Sequence, residues 1–354
     1  MVNSHYIPQF ILRNFCENGQ ITLCDLDKKK IQLRNPRSVF SEKGYYPDSM
    51  EKELSTKAEY LFANLYHQKL EDVRNSISLN ADELFILKKY LIVSSIRYHY
   101  EYSKEENEFL DQLGDSYKPH FIDDLNCILS CDSVDKMMGY IIKMNKVLNP
   151  SHPDPIEDMS VHLWAEIKDI LQSYIVFVTA PKDEEFLIPD IGKGIYEGPM
   201  SRRKVTGLLD IMISQGHTEL IPIVTMLTPH DYTVFPLSKR LAVLSMSVFF
   251  KLLTDSEIRV NVILPDDCPT VSSVLNFGSR DAITPPKVRY ERGVKTYRYD
   301  VKRLSAADIS HFNSLMLAEA KHFVAYSDIS HLKKTLSAVR EYSDRDISFM
   351  TKSE

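Results

Sequence analysis

The order of hydrophobic and polar residues along the chain changes period several times, and each change marks an element. PQFILRNFC at 8–16 begins on a proline that suits the first turn of a helix and runs into Asn18-Gly19, so it reads as a short helix. QITLCDL and KIQLRN alternate apolar and polar residues on either side of DKK and predict a hairpin, with Ile21, Leu23, Leu26, Ile31 and Leu33 on its buried side. From Asp48 or Ser49, residues that suit an N-cap, the period becomes helical. Leu54, Ala58, Leu61, Leu65 and Tyr66 form its inner stripe to about Val73. The next helix starts after Asn80, and ELFILKKYLIVSSIRYHYEY is apolar on most of its circumference, which predicts an enclosed position. Shorter helices are expected over 119–131, 132–147 and 156–172.

NPSHPDP at 149–155 is dense in proline and marks the boundary between a region 1–150, hairpin plus helices, and a mixed region 151–354. Beyond it come strand-like runs, YIVFVTAP, EFLIPD, ELIPIVTML, YTVFPL and RVNVIL, then a hairpin over 287–303 and helices over 305–325 and 328–342. Strands and helices do not alternate as βαβ units. The expected fold class is therefore α+β, with a helical first half and a mixed second half in one integrated globule.

Length and charge narrow the picture. A chain of 354 residues has ample length for a real core without disulfide staples. The net charge of −6 excludes a bulk nucleic-acid coat or a membrane-surface protein, so an anionic partner must meet a local basic patch. No uninterrupted apolar run reaches the ~18–20 residues of a membrane span, and five scattered cysteines fit the reducing cytoplasm better than a secreted disulfide framework. The strongest basic patch is KVRYERGVKTYRYDVKR at 287–303. Its Arg289, Arg292, Lys295 and Arg298, interleaved with Tyr290, Tyr297 and Tyr299, can track phosphates and stack bases, or the tyrosines can pack inward while the cations form a solvated outer face. A second basic stretch, KKKIQLRNPR, lies at 28–37.

Sequence motifs for common chemistries are missing. HExxH, GxSxG and CxxC do not occur, and GKGIYEG at 192–198 fits neither phosphate-loop pattern, so it reads as a turn. Cys127 and Cys131 are one helical turn apart near His120, but two further ligands at metal spacing are missing, so they read as core thiols.

The most informative segment is HYIPQFILRNF. On a helix starting near Pro8, Gln9 and Arg13 share a face bordered by Asn14, His5 precedes the first turn, and Phe10, Ile11 and Phe15 fill the other side. Farther along, Glu51 and Glu59 are eight residues apart, which places them on roughly the same side of one helix. Arg97 ends a helix too apolar to tolerate an unpaired charge, so it is expected to pair with Glu51 or Glu59.

These residues also carry a resemblance. The chain resembles the bacterial family called domain of unknown function 4238, whose opening signature HYxPQFxLxNF is matched by His5, Tyr6, Pro8, Gln9, Phe10, Leu12, Asn14 and Phe15. Further similar features are the Tyr45-Tyr46 segment, the spaced acids Glu51 and Glu59, the helical segment ending at Arg97, and an intact Pro236-Leu237-Ser238. A Ser-Asp-x-Pro element is represented only by Asp190, with Pro189 and Gly192 in place of its Ser and Pro. The resemblance spans 4 to about 325 and implies no established reaction.

The matched residues are of kinds that handle phosphates. The expected site has His5 as general acid or base, Glu51, Glu59 and Asp190 as ligands for a divalent metal such as Mg or Mn, and Arg97 or Arg13 steadying developing charge, with Gln9 beside them. That constellation suggests a metal-dependent nuclease, RNA favoured. The family's resemblance to ones carried sporadically by bacteria suggests a defence or toxin effector. The alternatives are a non-catalytic module recognising nucleic acid or a protein partner, a second copy included, and a purely structural ion network.

Overall fold

The computed structural model describes residues 3–72, 75–97, 121–147, 161–196, 232–246 and 287–328, with Ser214 and Ser330. Strand β1 (Asn3–His5) leads into helix α1 (Gln9–Arg13), the hairpin β2 (Ile21–Asp25) and β3 (Lys30–Arg34), and then β4 (Ser41–Lys43), which returns to pair antiparallel with β1. The hairpin forms as the alternation predicts, but its burial is one-sided. Ile21 and Cys24 are in the core, whereas Ile31 and Leu33 are exposed, because β3 is the outer strand of its sheet.

The next stretch is helical from end to end but is not a plain α-helix. α2 (Asp48–Leu54) starts after Pro47 without a side-chain cap, so neither Asp48 nor Ser49 acts as one. A π-helical segment (Ser55–Glu59), α3 (Tyr60–Leu65) and a second π-helical segment (Tyr66–Leu70) continue it. The wider π turns change the period. Met50, Leu54, Ala58, Phe62, Tyr66 and Leu70 are buried at a spacing of four, and Leu61, expected inside, is left 40% exposed because Phe62 takes its place.

β5 (Ser76–Asn80), unmarked by the apolar pattern, precedes α4 (Ala81–Ile96). Asn80 and Glu83 form a capping box at the start of α4, and the helix is buried around most of its circumference, as its composition predicts. It packs on α3, α5 (Phe121–Ser130) and α7 (Val161–Gln172), and α6 (Val134–Val147) lies on α7.

The remaining elements are mainly strands: β6 (Tyr174–Thr179), β7 (Ile188–Pro189), β8 (Gly194–Tyr196), β9 (Tyr232–Pro236), β10 (Leu241–Met246), β11 (Lys287–Glu291), β12 (Val294–Asp300) and β13 (Lys302–Arg303), followed by α8 (Ala306–Glu319) and β14 (Phe323–Tyr326). The larger sheets have the strand orders β13-β6-β10-β9-β8, β11-β12-β5 and β3-β2-β14-β7, with β13–β6 the one parallel pair among the described residues. The fold is mixed α+β. Two sheets take strands from both sides of residue 150, since β5 joins β12 and β2 joins β14. The boundary at 149–155, the strands expected over 219–227 and 259–264, nearly all of the helix over 328–342, and His120 lie outside the described residues.

Two contacts hold the amino-terminal signature in place. Asn14 Nδ2 donates to the Leu237 carbonyl at 3.0 Å, and the Lys239 amide donates back to the Asn14 carbonyl. Ser238 Oγ in turn accepts from the amides of Arg240 and Leu241, shaping the β9–β10 turn. The opening signature and the intact Pro236-Leu237-Ser238, more than 200 residues apart, thus meet. GKGIYEG holds a turn at Gly192 (φ +71°), and Gly194 lies where a Cβ would fall within 2.9 Å of the Met316 backbone nitrogen on α8. Lys193 between them reaches Ser95 and Glu166.

Candidate functional site

Four segments bring polar groups to the end of α4. Arg97 caps that helix and is 1% exposed, and its Nη1 pairs with Glu59 Oε1 from the π segment, as the apolar surroundings of the arginine predict. Glu51 stands close enough to interact electrostatically with both. In an unbroken α-helix eight residues would leave the two carboxylates about 80° apart. Across the π segment the helix advances in four-residue steps, and both come to bear on one guanidinium.

Tyr46, in the loop before α2, completes the enclosure. Its hydroxyl donates to the Arg97 carbonyl at 2.6 Å, its ring lies 5.6 Å from the guanidinium carbon, and its own amide donates to Ser4 Oγ. Sequence reasoning gave Tyr46 and Ser4 no role in the site. The signal available was the Tyr45-Tyr46 pair ahead of the acidic helix.

His5, 7% exposed, enters from β1. Its ring Nε2 is 3.1 Å from the Arg37 carbonyl and 3.3 Å from Gln9 Nε2. A carbonyl only accepts, so Nε2 carries a proton. The Gln9 amide fits that proton when its oxygen, not its nitrogen, faces the ring. The His5 backbone also hydrogen-bonds the Glu51 carboxylate.

The charges are unequal in their comfort. Burial raises the Glu51 carboxyl above its ordinary range, and the like charge of Glu59 adds to this while Arg97 opposes it. Burial also works against the Arg97 charge, but Glu59, Tyr46 and Glu51 outweigh it and hold the guanidinium protonated. Glu51 Oε2 and Arg97 Nε and Nη2 are buried polar atoms with no hydrogen-bond partner among the described residues.

Several expected site residues lie elsewhere. Asp190 is fully buried, with Oδ1 accepting from the Lys321 amide and Oδ2 from those of His322 and Phe323. Its oxygens are committed to holding the α8–β14 connection, and Glu59 is committed to Arg97. The set Glu51, Glu59 and Asp190 therefore does not fit a Mg or Mn ion, and no group of three metal-ligating side chains is found among the described residues. Arg13 is exposed at the end of α1, near Cys16, instead of sharing the site with Gln9. Cys127 and Cys131 are buried thiols outside any disulfide, with Cys131 Sγ donating to the Cys127 carbonyl at 3.5 Å, in agreement with core thiols.

On the ribbon β11–β12, Arg289 and Arg292 are exposed and Lys295 and Arg298 are half-buried. Tyr297 faces inward at 1% exposure, so it is not presented to a base; Tyr290 is the exposed ring, at 73%. The inward face of β12 packs on the core, which is why alternate residues lose their solvent face.

The family described as Protein of unknown function (DUF4238) matches residues 3–330, nearly the whole chain. The chain belongs to the DUF4238 family. No curated protein and no solved structure matches it. In this DUF4238 protein the amino-terminal signature thus builds one wall of a polar site, through His5 and Gln9, and anchors that wall to the β9–β10 turn through Asn14. No helix among its described residues is long and apolar enough to cross a membrane.

Proposed function

We propose that this DUF4238 protein is a nuclease, with RNA as the favoured substrate, acting as a defence or toxin effector. The observation in favour is the meeting of Glu51, Glu59 and Arg97 at the end of α4, with the His5 backbone bonded to the Glu51 carboxylate. A histidine, a carboxyl that burial raises above its ordinary range and an arginine fixed by a second carboxylate are the parts of a general acid–base phosphoryl transfer. In that reaction the RNA 2′-hydroxyl gives its proton to His5 and its oxygen bonds to phosphorus. The bond from phosphorus to the 5′-oxygen breaks, and the departing oxygen takes the proton held by Glu51. A 2′,3′-cyclic phosphate and a 5′-hydroxyl remain.

The purified protein is expected to cut RNA with EDTA present and to leave 2′,3′-cyclic ends. His5→Ala and Glu51→Gln should abolish the cutting while the thermal midpoint stays nearly unchanged. An RNA panel left intact by the wild type, or unfolding of both variants, would reduce the cluster to a structural ion network.

A second reading, non-catalytic recognition of nucleic acid, is favoured by the exposure of all of β11 together with Arg292 in the hairpin turn. Each phosphate contact contributes about −0.7 to −0.9 to the slope of log affinity against log salt. Changing Arg289 and Arg292 to Gln should therefore flatten the slope by nearly two units, and an unchanged slope would leave the ribbon a solvated face.

A further inference from the structure

We infer that the Nε–Nη2 edge of Arg97, with Glu51 beside it, is a seat for the two non-bridging oxygens of a monoanionic phosphodiester. The inference rests on the phosphodiester reading above and narrows it to one arginine edge and one charge state of the ligand. A guanidinium offers its donors along defined edges. Glu59 occupies Nη1, while Nε and Nη2 lie together on another edge, as two near-parallel N–H groups spaced to meet a pair of oxygens on one planar or tetrahedral acid. Those atoms have no partner among the described residues although Arg97 is 1% exposed, and donors so placed are costly to leave unmade. Lysine in the same position would keep the ion pair and lose the fork, so the arginine does more than neutralise Glu59.

The surrounding charges select the ligand. Facing Glu51 are Arg97 from α4, Glu59 from the π segment, the His5 backbone from β1 and the Tyr46 phenol from the preceding loop. With both carboxylates ionised the arginine is outnumbered and an anion is repelled. With Glu51 protonated the Arg97–Glu59 pair is neutral, and the Glu51 carboxyl, whose Oε2 is itself unpartnered, can donate as well as accept. A single negative charge is then opposed less than the two carried by a phosphate monoester above its second pKa of about 6. Protonation of Glu51 is thereby coupled to occupancy, and the proton bound with the ligand is the one the leaving oxygen needs.

Calorimetric titration separates this seat from cleavage when the diester is a UpU dinucleotide methylated on its 2′-oxygen, which cannot be cut by attack of that oxygen. At about pH 7.5 the wild type should bind this diester at least about tenfold more tightly than UMP or inorganic phosphate, both largely dianionic there. Arg97→Lys should weaken diester binding by at least about tenfold, a loss of about 1.4 kcal/mol. Diester binding to the wild type should weaken as pH rises, and Glu51→Gln, which is permanently neutral there, should remove that dependence. Equal affinity for diester and monoester, no binding of any of the three, or a Glu51→Gln profile that follows the wild type would each overturn the seat, and none of these needs Arg97→Lys to fold. If the dinucleotide binds with the stated preference while RNA stays intact, the seat stands and the nuclease reading falls. If RNA is cut by a protein that does not distinguish diester from monoester, the reverse holds.

Discussion

Helix α4 buries three cations, and they are satisfied in different ways. Lys88 donates to the Leu171 and Ser173 carbonyls at 2.6 and 3.0 Å, and Lys89 donates to those of Leu129 and Cys131. Each ammonium thus closes the carboxy-terminal end of a neighbouring helix, α7 or α5, where last-turn carbonyls lack helical partners and the helix dipole favours positive charge. Arg97, at the end of the same helix, meets one carboxylate with one nitrogen and leaves two others without partners among the described residues. A buried cation surrounded by backbone oxygens is a fastener. A buried cation held at one edge with another edge unpartnered is a candidate for binding. Burial is common to both; hydrogen-bond satisfaction distinguishes them.

The contrast can be broken by mutation. Arg97→Met strips Glu59 of its partner in a poorly solvated place and should cost about 3–5 kcal/mol, read as a large fall in the denaturant midpoint. An unchanged midpoint would mean that the ion pair is not what holds this end of α4. Lys88→Met should cost less, about 1–3 kcal/mol, by leaving two carbonyls short of a donor. The folded fraction of that variant should process RNA like the wild type, and a selective loss of activity would erase the distinction between fastener and site.

A smaller effect follows from Glu51. A carboxyl whose folded pKa is raised binds more protons folded than unfolded. Its contribution is therefore fully present below the ordinary carboxyl value of about 4.3 and is lost as pH rises through the raised value. Stability differences between wild type and Glu51→Gln, followed by denaturation across that window, should shift in favour of the variant as pH rises, and a flat difference would contradict the raised value. Smallest of all is Arg292→Gln on the exposed ribbon, within about 0.5 kcal/mol of wild type. A larger loss there would show that a solvated cation can matter as much as a buried one.

Much of this was legible before any coordinates. The start of α4 after Asn80, its enclosure and the hairpin β2–β3 follow from local pattern, and so does the pairing of Arg97 with a carboxylate, since an apolar helix leaves an arginine few other options. β5 and β14 were not legible, because SISLN and FVAY are short runs whose strand state comes from partners far along the chain, β12 for the first and β2 and β7 for the second. The surroundings of Asp190 were not legible because it bonds three amides more than 130 residues away. Tyr297 was left between stacking and inward packing because alternation shows that β12 has two faces without showing which of them the core covers, and the structure turns it inward.

The sequence by itself determined which residues are apolar in which period, where helices start and which charge needs a partner, since these depend on neighbours within a few positions. Only the tertiary structure decided the π turns that bring Glu51 and Glu59 onto one arginine, the edge of Arg97 that stays unpartnered and the meeting of Asn14 with the Leu237 turn. Each of these is a matter of how segments distant in the chain share a limited set of hydrogen-bonding groups, and no local pattern records that allocation.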